Sequence, residues 1–231
     1  MNPTISVVIP AFNEENNIES ILSRSHKALE TIRFPYEIIV VDDGSIDKTA
    51  QLAHRHKVTI LKNGKNKGKG HALQMGLQYA KGDIIITMDA DGSHRPEDLT
   101  KLLMPLLNGA DIVFGSRFIN SCSEIATKKL HLFGNKLFNI LIRLLTAKQI
   151  TDSQTGFRGY KKKIIKQIEL TSQGYEIETE LTVKSLKNGC VVHEAPITFE
   201  KRKEGHSHLN PLFDGFKILK TILLVSIENR I

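Results

Sequence analysis

Asp89-Ala90-Asp91 follows an apolar, β-branched run at about 83–88 and is the most chemically suggestive triplet in the chain. On backbone still near extended, side chains at i and i+2 point to the same side, so the two carboxylates make a hard-oxygen site suited to Mg²⁺ or Mn²⁺. An ion held by so few protein ligands completes its shell with phosphate oxygens, and a diphosphate leaving group would be neutralised there. Two further acid clusters end apolar runs: Asn13-Glu14-Glu15 after Ile5-Ser6-Val7-Val8-Ile9, and Asp42-Asp43-Gly44-Ser45 after the run at about 37–41. A single Asp-Gly-Ser reads equally well as a capping turn. Three acid sets on one edge repel each other unless a cation or its ligand compensates. Asp43, ending the second run, could accept from a base or ribose.

These residues need a scaffold that brings strand ends together. Strand-like runs at about 5–9, 37–41, 58–61, 83–88 and 111–114 alternate with helical patterns at 16–32 and 46–56, from Lys69, and from Pro96. Ser45 is an N-cap candidate for the second helix, and Glu97 and Asp98 suit the first turn after Pro96. This alternation is the signature of an α/β fold, a mostly parallel sheet with helices on both faces, whose ligands sit outside the carboxyl ends of the strands. Residues 1–118 read as a Rossmann-like nucleotide-binding half. Residues 119–210 complete its site in the same domain, through an apolar helix from Lys129 to Leu145, a Gly-rich patch at Thr155-Gly156-Phe157-Arg158-Gly159, a helix near 176–187 and strands near 190–193 and 196–200. An amphipathic helix within 211–231 ends the chain.

The composition excludes several classes. With 231 residues, 40% hydrophobic and 25% charged, the chain can bury a sizeable core. Its net charge of +7 favours phosphate-bearing partners. Nucleic acid is ranked last, because 6% aromatics and no tryptophan leave few stacking platforms. Cys122 and Cys190 show no metal-ligand spacing and suit a reducing compartment; no signal peptide and no apolar stretch of membrane-spanning length is visible. The run Lys62-Asn63-Gly64-Lys65-Asn66-Lys67-Gly68-Lys69-Gly70 is not a P-loop, since three residues separate Gly64 from Gly68 and Lys69 precedes Gly70. It reads either as a solvated basic loop or as a helix start at which Lys69 touches phosphate.

Taken together, Pro10-Ala11-Phe12-Asn13-Glu14-Glu15, Asp42-Asp43-Gly44-Ser45, Asn66-Lys67-Gly68-Lys69-Gly70, Met88-Asp89-Ala90-Asp91-Gly92 and Gly115-Ser116-Arg117 resemble the family 2 glycosyltransferases in order and spacing. Asp152-Ser153-Gln154-Thr155-Gly156-Phe157, Tyr175-Glu176-Ile177-Glu178-Thr179-Glu180 and Arg202-Lys203-Glu204-Gly205-His206-Ser207 bring the chain nearest to the dolichol-phosphate mannose synthases and bacterial polyprenyl-phosphate sugar synthases. The resemblance implies a GT-A fold, a GDP-mannose or UDP-hexose donor, Mg²⁺ or Mn²⁺, and inversion at the anomeric carbon. It implies that Pro10, Phe12, Glu14, Val41 and Asp43 hold the nucleotide, that Asp89, Ala90 and Asp91 lie at the metal and diphosphate, and that Arg202 closes over the donor phosphates. Arg117, with Lys128 or Lys129, would receive the phosphate of a polyprenyl or dolichyl acceptor. Ser93 and His208 depart from the pattern, standing where relatives carry Gln and Lys.

A lipid phosphate is already ionised near neutrality and needs positioning rather than a base, which would make Asp152 an orienting group; a sugar hydroxyl acceptor would make Asp152 the base. The apolar helix from Lys129 and the stripe Leu212, Phe216, Leu219, Leu223, Ile227, flanked by Lys217 and Lys220, suit either the core or an anionic membrane surface. The expectation is peripheral attachment at the cytoplasmic face, with transmembrane helices supplied by a separate subunit or lost by truncation. A nucleotidyltransferase would carry a Gly-rich Arg/Lys signature after its first strand, and a non-catalytic scaffold would not need the Asp89/Asp91 pair.

Overall fold

A computed structural model of the chain describes residues 3–119, 129–202 and 210–228. Seven strands form one sheet: β1 (Ile5–Ala11), β2 (Tyr36–Asp42), β3 (Thr59–Lys62), β4 (Ile84–Thr87), β5 (Ile112–Ser116), β6 (Arg158–Lys161) and β7 (Val192–Pro196), in the order β3-β2-β1-β4-β6-β5-β7. All pairings are parallel except those of β6, which runs antiparallel to both β4 and β5. The strands are β-branched runs buried on both faces, as a sheet sandwiched between helices requires.

On one face, α1 (Ile18–Ile32) and α4 (Leu99–Leu107) bury Ile18, Ile21, Leu22, Leu102 and Leu106 against Val7, Ile9, Val40 and Ile86. On the other, α3 (Lys69–Tyr79), α5 (Lys129–Thr146), α7 (Ile177–Lys187) and α8 (Pro211–Ile227) cover Val8, Ile39, Val41, Ile85 and Phe114. Short α2 (Thr49–Ala53) and α6 (Lys162–Ile165) are the remaining α-helices among the described residues, and a 3-10 turn at Pro96–Asp98 leads into α4. The α/β sheet with helices on both faces is the expected one.

Three local readings are corrected. The patch from Arg158 is a strand, paired with both β4 and β5, and Gly159 lets it pass beneath Leu106, whose Cδ1 a Cβ there would meet at 2.7 Å. The second helix begins only at Thr49: Ser45 accepts from the Asn13 N–H at 3.0 Å and donates its own N–H to Asp42, so its groups bind the β1 turn rather than cap α2. The expected strand at 196–200 reduces to one antiparallel bridge between Phe199 and His94.

Candidate active site

The carboxyl ends of β1, β2 and β4 meet at one edge of the sheet, where their turns line a cleft of about 340 Å³. Pro10, Phe12, Glu14, Asp43, Lys69, Asp89, Ala90, Asp91 and Arg202 all border it, joined by Asn66 and Tyr175. Val41 does not. Its side chain is fully buried beneath α3, packed so closely that a Cβ on Gly76 would meet Val8 and Val41, so at this position it is the backbone at the end of β2 that could face a nucleotide.

Asp43 faces the cleft while accepting from Asn63 Nδ2 at 2.6 Å and from the backbone N–H groups of Lys67 and Gly68 at 3.1 and 2.8 Å. It thereby pins the basic loop to the end of β2. Gly68 has φ +100°, and a Cβ there would lie 2.5 Å from the Gln173 carbonyl oxygen; His71 donates its N–H to that same oxygen at 3.1 Å. The start of α3 is thus closed by the backbone at 172–174, and it is the side chain of Lys69 that reaches the cleft.

The Lys69 ammonium lies 2.7 Å from Asp89 Oδ1 and 2.7 Å from Glu178 Oε1. Burial works to lower its pKa, and the two carboxylates outweigh burial and raise it. Glu178 comes from α7, so one cation ties the two halves of the chain at the strand edge. Gly156 completes this corner: a Cβ there would stand 2.6 and 2.7 Å from the Asp89 carboxylate oxygens. Only a bare backbone leaves that carboxylate its place.

Asp91 accepts from the Ser93 N–H at 2.9 Å, from the Ser93 hydroxyl, and from Arg202 Nη2 at 2.7 Å. Burial raises its pKa, and His94, the Ser93 hydroxyl and Arg202 bring it down to about 2. His94 is itself pushed down by burial against the pull of Asp89 and Asp91, so Ser93 and Arg202 carry the stabilisation of Asp91 near neutral pH. Glu14 stands opposite, 3.9 Å from Arg202, and burial raises it to about 7 against the Asn17 hydrogen bond and Arg202, helped by Asp91 and Asp89.

Arg202 is delivered by a segment that pairs with the turn after β4. Thr198 donates its N–H to Asp98 at 2.6 Å, and Glu200 donates to the Ser93 carbonyl at 2.8 Å. The Asp89/Asp91 donor set fits Mg²⁺ or Mn²⁺: its oxygens are hard, and each carboxylate is balanced by a lysine or arginine whose charge a divalent ion can replace. No cluster of three or more His, Cys, Asp or Glu gathers as a metal site among the described residues, which leaves phosphate oxygens to complete such a shell.

Beside the cleft, Arg117 leaves the end of β5 and grips Asp152, Nε to Oδ2 at 2.6 Å and Nη2 to Oδ1 at 2.8 Å. Its own N–H and that of Gln154 add bonds to the same carboxylate at 3.2 Å each, and Asp152 is fully buried. The guanidinium lies between the rings of Phe118 and Phe199, 5.3 and 5.1 Å from their centroids, and Nη1 has no hydrogen-bond partner among the described residues. Lys128 and His208 lie outside the described residues, as does the side chain of Lys129. Glu178 and Gly156 stand in the sequence only inside longer motifs, and nothing local marks either for a role: the burial of Glu178 and the approach of Gly156 to Asp89 exist only in the fold.

The family model of Glycosyl transferase family 2 matches residues 6–169. The chain belongs to this family. This glycosyltransferase is 33% identical over 217 residues to a dolichol-phosphate mannosyltransferase of Pyrococcus furiosus, covering 89% of its own length and 59% of that protein. It is 34% identical over 216 residues to the polyprenol monophosphomannose synthase of Mycolicibacterium smegmatis, covering 88% and 80%. Its fold superposes with a TM-score of 0.76 on the glucosyl-3-phosphoglycerate synthase of Mycobacterium tuberculosis, solved with Mn²⁺, UDP and phosphoglyceric acid, at 22% identity over 98% of this chain and 80% of that one.

Proposed function

We propose that this glycosyltransferase moves a hexose, with inversion, from a nucleoside-diphosphate sugar to the phosphate of a polyprenyl or dolichyl lipid at a membrane surface. The observation that carries the reading is the saturation of Asp152. A fully buried carboxylate that accepts four hydrogen bonds, three of them from Arg117, is an orienting group and not a free base. An acceptor that brings its own negative charge needs no base, and a phosphate monoester does so near neutrality. The names of the Pyrococcus and Mycolicibacterium relatives agree with such an acceptor.

In this mechanism Asp89 and Asp91 would hold Mg²⁺ or Mn²⁺, which when bound neutralises charge on the leaving diphosphate. Of the residues that border the cleft, Pro10, Phe12, Glu14 and Asp43 would take the nucleotide, and Lys69, Ala90 and Arg202 the phosphates. Arg117 presents Nη1 to the acceptor phosphate, with Lys128 or Lys129 as a second cation. An acceptor oxygen forms the new bond to the anomeric carbon while the diphosphate oxygen departs with its electron pair from the opposite face. No proton changes hands. The test is sugar transfer from radiolabelled GDP-mannose and UDP-hexoses to undecaprenyl or dolichyl phosphate, with and without Mn²⁺. Metal-dependent product is expected; transfer to a sugar hydroxyl alone would overturn the acceptor.

The membrane part rests on two helices with two faces each. α8 buries Ile218, Ile222 and Val225 and turns Leu212, Phe216, Leu223 and Ile227 outward, the last at 78% exposure. α5 buries Ile142 and exposes Phe133, Ile140 and Leu144. The two helices pack together, so these residues form neighbouring apolar surface, with Lys217 over the Phe213 ring at its edge. Among the described residues no helix is long and apolar enough to cross a membrane. On this reading the enzyme lies on the bilayer at its cytoplasmic face, and the outward apolar residues of α5 and α8 support the bilayer part of it. Flotation with anionic liposomes should carry it upward, and Phe216→Glu should release it; failure of the wild type to float would assign this face to a separate membrane subunit.

A further inference from the structure

We propose that Glu194 is a positioning residue for the acceptor step, acting through the Thr151-Asp152 turn on the direction of Arg117. The inference rests on Arg117 as the receiver of the acceptor phosphate. Glu194 stands on β7, in register with Phe114 of β5, and Arg117 follows the last residue of β5. The two neighbouring strands therefore deliver an acid and a guanidinium to opposite sides of one turn.

The contacts of Glu194 are concentrated on that turn. Oε1 accepts from the Thr151 N–H at 2.9 Å, the Thr151 hydroxyl at 2.8 Å and the Asp152 N–H at 3.0 Å, and Oε2 accepts from the Thr151 N–H at 2.9 Å. Successive N–H groups aimed at one carboxylate form a small anion nest. No lysine or arginine pairs with Glu194 among the described residues, so the turn itself is what its charge serves. Ser116 Oγ lies 2.6 Å from Thr151 Oγ1, and Asn139 of α5 donates to the Thr151 carbonyl at 2.6 Å. The turn is thus held from β5, β7 and α5, and the Asp152 side chain that emerges from it has one direction in which to meet Arg117.

A glutamine at 194 offers one oxygen where the carboxylate offers two, and turns an NH₂ toward donors. With the amide oxygen in the Oε1 position the NH₂ is set against the Thr151 N–H, and with the amide reversed it is set against the Asp152 N–H, so in either orientation donor meets donor and the turn gains freedom that Arg117 inherits. Glu194→Gln is expected to raise KM for undecaprenyl phosphate about tenfold, leaving kcat, the KM of the sugar donor and Mn²⁺ binding within about threefold. Thr151→Val removes one of the four bonds and should move acceptor KM in the same direction by less. The double variant should cost less than the product of the two, because both act on one carboxylate.

Thermal melting identifies a variant that fails to fold, and if Glu194→Gln does, Thr151→Val carries the test. Arg117→Lys separates the levels. If it raises acceptor KM and neither other variant does, Glu194 has no positioning role while the acceptor reading stands. If Arg117→Lys leaves acceptor KM unchanged, the acceptor reading falls and this inference with it. Equal losses toward donor and acceptor in Glu194→Gln would show a general structural role and overturn the proposal.

Discussion

At Asp91 an arginine arrives from residue 202, late in the chain, on a segment that bonds through the Glu200 N–H to the Ser93 carbonyl and through the Thr198 N–H to the Asp98 side chain, and both partners keep some exposure, 18% and 25%. At Asp152 the arginine comes from the end of a central strand, the carboxylate is fully buried, and two backbone N–H groups and two guanidinium nitrogens saturate it. The two pairs have the same chemistry and opposite release costs. A partly exposed carboxylate whose arginine partner is delivered by a late segment of the chain can exchange that cation for a divalent ion. One whose removal would leave a buried charge unpaired cannot. The donor side is built to exchange charge and the acceptor side to hold it.

Asp91→Asn attacks the exchanging side and should have the largest effect, about 10³-fold in kcat/KM, because both the ion and Arg202 lose their anion. Transfer assays across a Mn²⁺ titration check it, with partial recovery at high Mn²⁺. A loss under tenfold would mean that Asp91 serves only to hold Arg202, and the contrast with Asp152 would disappear.

Asp152→Asn attacks the holding side. The amide offers one oxygen to a guanidinium that now uses two, so Arg117 turns away from its place. With polyprenyl phosphate the expected loss is about 10 to 100-fold, carried in acceptor KM, with the pH profile of kcat unchanged. With a hydroxyl acceptor the loss would be far larger if Asp152 took the proton there. Equal losses on both acceptors would contradict this division of labour, and disappearance of the acidic limb of the pH profile would make Asp152 a base after all.

The donor side was legible in the sequence because its residues follow strands. Asp43, Asp89 and Asp91 end β-branched runs, and a parallel sheet collects such ends at one edge whatever the details of packing. The acceptor side was less so. β6 contains Gly159, a residue that weakens any strand pattern, and it passes beneath Leu106, more than fifty residues earlier in the chain. Lys69 carries a similar lesson: its type and place at a helix start suggest phosphate, yet Glu178 from a distant helix competes for it, and no local spacing announces that partner. The stripe Leu212, Phe216, Leu219, Leu223, Ile227 and the inward set Ile218, Ile222 and Val225 share one helical period, and only the packed structure, with Leu219 half-buried between them, separates core from surface.

Glu14 supplies the smallest test and sharpens how Arg202 is shared. Arg202 is 2.7 Å from Asp91 and 3.9 Å from Glu14; burial raises Glu14 to about 7 against the weaker pull of the arginine, while His94, Ser93 and Arg202 together hold Asp91 at about 2. A raised carboxyl contributes stability that is complete below its unfolded value, near 4.5, and lost as pH climbs through 7. Glu14→Gln, neutral at every pH and still able to accept from Asn17, should therefore match the wild type near pH 5 and exceed it at pH 8. With partial solvation discounted, the gain is about 1 kcal/mol, or about 2 to 4 °C in Tm of the metal-free protein. A Tm difference that stays flat from pH 5 to 8.5 would mean that Glu14 is ionised throughout and that Arg202 serves both acids equally. The cation would then be held from two sides, and the donor site would resist exchange much as Asp152 does.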